Sequence, residues 1–296
     1  MSPPESASRS GRDALWRALH REALHLRDPR RIAAVVITSA SIALITILLF
    51  ARGDAGGVDA QTYWAAARIW LAGGNPYDTS GPYLLYVYPS WMLPLFVPWA
   101  LLPWDVAWFV WRGGTILLLL VSYHWAYRRH PLGSSLVLAA LSLPIAVNLD
   151  TGNVNLLLIL ALWVAQFSVP AVAGILWALA TWMKWLPVVF FIVLAPRGRL
   201  YGLIGLAVSA VLSLVLLPLT IAQLHVLFSV WPARQGVRLD YLVFLWAAVP
   251  WWYLHIDDLA WIRRMSWSRI RANIAEMLRS RRALRLRLRR SLGLPA

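Results

Sequence analysis

The chain has no cysteine, which excludes a disulfide framework and any thiolate acting as metal ligand or nucleophile. Lysine is nearly as scarce. Lys184 is the only one, so every other cation among the 28 Lys and Arg is an arginine. Carboxylates are sparse as well: between residues 32 and 256 there is no glutamate, only Asp54, Asp59, Asp78, Asp105, Asp150 and Asp240. Charged residues make up 14% of the chain, where a soluble domain carries about 25%. There is no glycine-rich phosphate loop, no HExxH and no zinc spacing. His124, His130, His225 and His255 are scattered near segment ends and form no ligand cluster. No metal or nucleotide cofactor is expected.

What the chain does have is apolar surface. Sixty per cent of its residues are apolar and the mean hydropathy is +0.61, which is the composition of an integral membrane protein. The net charge of +15 does not make it a nucleic-acid binder, because the arginines concentrate in the first 31 residues and after Trp261. Basic flanks of this kind stay on the cytoplasmic side of a membrane. The expected location is therefore a cell membrane, crossed several times, with both termini cytoplasmic.

Punctuation by proline, glycine and arginine divides the chain into residues 1–31, a basic N-terminal segment; 32–256, the transmembrane domain; and 257–296, a basic tail. Within the first, residues 13–26 read as an amphipathic helix lying on the membrane surface. Residues 32–51 are long enough to span a bilayer and read as an uncleaved first span rather than a short signal sequence. The loop that follows, to about residue 87, faces outside. It holds a short helix, with Asp59 at its N-terminal end, where a carboxylate suits the helix dipole, Gly73-Gly74 at its end, and a turn at "NPYD". "YPSWMLPLFVPWALLP" carries four prolines and is expected to be kinked or re-entrant rather than a straight span. Further apolar segments near 106–127, 132–149, 154–167, 171–195, 200–219 and 241–255 bring the count to seven or eight. "YRRHP" at 127–131 and "PRGRL" at 196–200 both favour the cytoplasm, which requires that the proline-rich segment or the "DTGNVN" region fail to cross fully. The tail after residue 257 alternates arginine with apolar residues and is expected to lie on anionic membrane lipids.

The lone lysine stands inside the apolar run 171–195. An ionisable group there costs roughly 2.5–3.5 kcal/mol by insertion scales, so it has a partner or a task. Lys184 can bind backbone carbonyls freed by Pro187, pair with an aspartate, or hold an anionic ligand such as phosphate. Among the carboxylates, Asp150 and Asp240 fall at segment ends, where a solvated aspartate is ordinary, and Asp105 reads as a helix cap. Asp59 stands four residues before Tyr63 on one helical face of the external loop, and by spacing alone it serves equally as a cap.

Residues 59–103, with an Asp, a Tyr four residues on, G-x-P-Y, Y-P and a P-L-x-x-x-P run, resemble the opening of glycosyltransferase family 87, membrane enzymes of the GT-C type. "GNVN" at 152–155 resembles that family's Gly-Gln-x-Asn element with Asn153 in place of Gln, and "AGILWALATWMKWLP" resembles its glycine-led helix ending in Lys-x-x-Pro. The resemblance covers roughly residues 32–220. Beyond it the chain looks shortened relative to the family, which leaves two expectations: an incomplete active site, or a protein partner that completes it. What the resemblance implies is an all-α, polytopic GT-C-like bundle that moves a hexose, mannose by analogy, from a polyprenyl-phosphate donor to a lipid or glycan acceptor on the outer face. Asp59 matches the catalytic aspartate and is expected to be the general base. Lys184, Arg112, Asn153 and Asn155 are candidates to hold the leaving phosphate, with Tyr63 beside the base. A transporter or lipid flippase would also use broken helices and an intramembrane cation, but it more often shows internal repeats, and none is found; a non-catalytic membrane scaffold is the third reading.

Overall fold

A computed structural model describes residues 28–51, 56–78, 81–230 and 238–255. Asp54 and the expected surface helices at 13–26 and after 257 lie outside these residues. Two compact units divide the chain, Met1–Trp251 and Trp252–Ala296; only residues 252–255 of the second are described.

Every regular element among the described residues is helical. Four helices are long and apolar enough to cross a membrane: α1 (Pro29–Ala51), α3 (Trp104–Arg129), α4 (Pro131–Thr151) and α7 (Pro196–Val215). Shorter ones are α2 (Val58–Leu71), α5 (Asn155–Phe167), α6 (Pro170–Met183) and α8 (Leu217–Val230). Two proline-bearing segments become 3-10 helices: Ser90–Phe96, continued by one α turn at Val97–Ala100, and Leu186–Val193, whereas α4 stays α-helical through Pro144. A third 3-10 helix spans Leu239–Ala248. Proline also starts helices. It opens α1, α4, α6 and α7, where its missing N–H costs nothing and its fixed φ suits the first turn. At α1 the Asp28 carboxylate accepts the Arg30 N–H at 3.0 Å, capping one of the free donors.

Specific contacts fix the directions of the segments. Thr38 in the first half of α1 reaches Ser135 near the start of α4 at 2.9 Å, Tyr123 in the last turns of α3 is 3.2 Å from the same serine, and the Gly57 N–H, soon after the end of α1, meets the Asp150 carbonyl at the end of α4. α1 and α4 therefore start at one end of the bundle, where α3 finishes. Trp125 of α3 packs on Trp163 and Phe167, at 5.2 and 5.1 Å between ring centroids, which brings the end of α5 to that same end. α6 and α7 run side by side in the same direction. A Cβ on Gly174 would lie 2.5 Å from the Gly198 carbonyl, and one on Gly205 2.8 Å from Ala178, so only glycine permits this approach. Arg30, Arg128, Arg129, Arg197 and Arg199 consequently share one end of the bundle. This meets the condition set by "YRRHP" and "PRGRL", because the proline-rich segment turns back. Trp64 donates to the Leu102 carbonyl at 3.0 Å and Phe96 stacks on Tyr63 at 5.1 Å, which keeps residues 90–102 against α2.

The apolar run 171–195 is not one helix. α6 stops at Met183, and Lys184 is already extended, with φ −141° and ψ 135°. Pro187 lacks the N–H and disfavours helix at the residue before it. The chain then returns as the 3-10 helix, with Trp177 of α6 donating to the Pro187 carbonyl at 2.9 Å.

Candidate active site

The end of the bundle opposite the arginines is organised by a helix terminus. α4 ends at Gly152 with φ 67° and ψ 32°, and the Asn153 N–H returns to the Asn148 carbonyl at 3.1 Å. This is a Schellman-type stop, which needs a residue in the left-handed region. Gly152 also has no room for a side chain, since a Cβ would stand 2.6 Å from Ala60 Cβ and 2.7 Å from the Trp108 ring. The turn thus presses the end of α4 against the start of α2. There the Gly57 N–H donates to the Asp150 carbonyl at 2.6 Å.

Asp59 lies in the first turn of α2, but its side chain makes no capping bond; the N-cap is Gly57. Its Oδ2 instead accepts a hydrogen bond from Asn153 Nδ2 at 2.8 Å. Asn153 is held in turn through its Oδ1, which accepts the Asn155 N–H at 3.1 Å. "GNVN" is therefore a presenting device: the glycine makes the stop, the first asparagine grips the carboxylate, and the second orients the first. Asn155 is fully buried, with neither side-chain polar atom paired within the described structure.

Tyr63, one turn after Asp59, is buried with its phenol oxygen 3.4 Å from that of Tyr88. Burial pushes the Tyr63 phenol well above its ordinary value, with Tyr88 and Asp59 adding to the effect. Burial does the same to Tyr77 and Tyr86. These rings stay protonated and serve as hydrogen-bonding walls, not as bases. Tyr77 donates to the Tyr88 carbonyl at 2.7 Å, which sets the Tyr88 backbone.

Lys184 is 9% exposed. Its Nζ lies over two rings, Tyr88 at 5.4 Å and Tyr241 at 5.5 Å, an arrangement that favours a cation. It faces a cavity of about 900 Å³ with mostly apolar walls, among them Val189, Phe190, Leu242 and Leu245. Arg238 also lines that cavity and forms a two-point ion pair with Asp240, at 3.0 Å from Nε and 2.9 Å from Nη2. Asp59 does not line the cavity, yet its carboxylate acts electrostatically on both Lys184 and Arg238.

The structure thus brings together Asp59, Tyr63 and Asn153, with Asn155 bonded behind them and Lys184 within electrostatic reach. Arg112 is placed elsewhere, 5.5 Å over the Trp108 ring on α3, and is not part of the cavity wall. Two carboxylates depart from the sequence expectation. Asp150 and Asp240 are buried, not solvated, because the segment ends they occupy fold inward onto α2 and onto Arg238. Asp105, expected as a cap, lies in the first turn of α3 without a side-chain capping bond. Arg238, Tyr88 and Tyr241 were missed. Arg238 contacts Asp240 and Tyr241 within its own segment, but the approach of Tyr88 and Tyr241 to Lys184 joins distant segments, which no local spacing announces.

The model of glycosyltransferase family 87 matches residues 86–286. The chain belongs to glycosyltransferase family 87. This makes it a membrane glycosyltransferase, which uses a sugar donor and an acceptor. The family match takes in Arg112, Asn153, Asn155, Lys184 and Arg238, and it continues past residue 220, where the resemblance read from sequence stopped. Asp59 and Tyr63 precede its first residue. No curated protein and no solved structure matches the chain.

Proposed function

We propose that this family 87 glycosyltransferase moves a hexose, mannose by family analogy, from a polyprenyl-phosphate donor to a hydroxyl of a lipid or glycan acceptor on the outer membrane face. The observation that carries the reading is the pairing of a fixed carboxylate with an apolar cavity headed by a buried cation. Such a cavity suits a ligand with a hydrocarbon tail and an anionic head. Asp59 Oδ2 is oriented by Asn153, and among the described residues nothing takes its other oxygen, which can accept a proton.

In the reaction the acceptor oxygen attacks the anomeric carbon while Asp59 removes its proton. The bond from that carbon to the phosphate oxygen breaks, and the polyprenyl phosphate leaves with the electron pair. Direct attack inverts the configuration. General base catalysis contributes about 10²–10⁴-fold, and the departing phosphate gains from fixed cationic donors in a site poor in water. Lys184 is the first of these, with Asn153 and Asn155 supporting the carboxylate side. Arg112 lies over Trp108, away from the cavity wall, and has no part in this step.

The test is transfer from a mannosyl polyprenyl phosphate by purified protein. Asp59→Asn should lower turnover at least a hundredfold while leaving membrane insertion near normal. Retention of most of the activity would refute the base assignment, and no transfer by the intact protein would favour a flippase or scaffold.

A further inference from the structure

Arg238 has no part in the reading above, yet it stands where a second charge matters. It lines the same cavity as Lys184, and both cations lean on one ring. Arg238 Cζ is 5.3 Å from the centroid of Tyr241 and Lys184 Nζ is 5.5 Å from it. The two charges therefore lie within about 11 Å of each other, the sum of those two distances, on the lining of one cavity.

The guanidinium is also held in place. Asp240 takes its Nε and Nη2, and the Asp240 carbonyl accepts Asn148 Nδ2 at 3.0 Å, so the pair is tied to the last turns of α4. A guanidinium presents five N–H donors in a rigid fork, and Asp240 occupies one edge of it. Among the described residues, no partner takes the Nη1 edge. Arg238 is partly exposed, 38% at the side chain, while Asp240 is 10% exposed. The carboxylate is the covered anchor and the arginine the accessible group.

We infer that Arg238, oriented by Asp240, is a second phosphate-binding residue, closing with Lys184 on the head group of an isoprenyl phosphate whose tail lies along the apolar wall of the cavity. This rests on the donor class proposed above, but it concerns binding and not the chemical step. The lysine supplies a compact charge and the arginine a planar fork. Tyr241 spaces them.

The probes are farnesyl phosphate and farnesol, which share a tail and differ in charge. They are titrated into the full-length protein in nanodiscs of neutral lipid, with binding read from tryptophan fluorescence, to which Trp182 and Trp185 in the cavity wall contribute. Arg238→Gln should weaken farnesyl phosphate about ten- to a hundredfold, the range for a lost hydrogen bond to a charged group, and leave farnesol unchanged. Arg238→Lys should recover part of the loss. Unchanged farnesyl phosphate affinity in Arg238→Gln overturns the inference, and so does an equal loss for both probes, which would mark a structural role. The transferase reading is judged separately by Asp59→Asn. If Arg238→Gln binds normally while Asp59→Asn is dead, only the Arg238 assignment falls. If wild type binds neither probe, that assignment falls with the donor class.

Discussion

Replacing Gly152 by alanine is the sharpest probe of how this fold holds its carboxylate. Two costs add. The residue sits at φ 67°, a left-handed conformation that costs a residue with a Cβ roughly 1–2 kcal/mol. The new methyl would meet Ala60 Cβ at 2.6 Å and the Trp108 ring at 2.7 Å. Neither is the free end of a flexible side chain, and overpacking of this kind costs roughly 1–3 kcal/mol. Together they amount to roughly 2–5 kcal/mol, and the chain can escape only by moving α2 away from the end of α4. That motion stretches the 2.8 Å bond between Asn153 and Asp59. Gly152→Ala should therefore lose sugar transfer even in the fraction that remains folded, with thermal stability lowered on the order of 10 °C. Gly113→Ala is the control: a Cβ there meets nothing within 4 Å, so stability and transfer should stay at or slightly above wild type. If Gly152→Ala melts and turns over like wild type, the helix stop does not position the base and the argument for the Asn153–Asp59 pair fails.

Asn153→Ala removes the donor to Asp59 and the acceptor of the buried Asn155 N–H without touching the helix stop, so transfer should fall about ten- to a hundredfold, the worth of a hydrogen bond to a charged group, with stability lowered by about 1–3 kcal/mol for the stranded N–H; undiminished turnover would show that the carboxylate needs no orienting partner. Lys184→Met keeps a similar volume and removes the charge. It should weaken binding of the phosphate donor about ten- to a hundredfold, with only partial rescue by Lys184→Arg, whose fork reaches a different point. Lower stability with normal donor affinity would instead assign Lys184 to the structure alone. Trp177→Phe strips the donor from the Pro187 carbonyl and should lower stability by about 1–3 kcal/mol, most directly seen as faster proteolysis around residues 184–193; an unchanged digest would mean that bond does not hold the break.

Much of the fold was legible from local physics. Apolar runs without carboxylates point to membrane helices, and four helices are long and apolar enough to cross; prolines open four of the helices, and Pro187 and the prolines of residues 89–103 forbid straight spans where the structure has 3-10 turns. The end of α2 at Gly73 and the turn at Asn75 follow from glycine and asparagine chemistry within a few residues. The lone lysine, too, was conspicuous on the sequence, because an ammonium among apolar residues is costly wherever the chain puts it.

The site itself was decided by tertiary structure. Asp59 by its spacing served equally as a helix cap; only the arrival of Asn153, 94 residues away, turns its carboxylate from the helix end to a partner. Asp150 and Asp240 read as solvated segment ends because sequence places charges along the chain but not in depth. Burial is set by what packs over them. Arg112 and Arg238 are equally good cations on paper. The first lies over Trp108, one turn away on its own helix; the second lies over Tyr241 of its own segment, and the bundle brings that ring to Lys184, 57 residues away. Local preferences act through neighbouring backbone and are written residue by residue, whereas the meeting of charges depends on which helix ends share one end of the bundle.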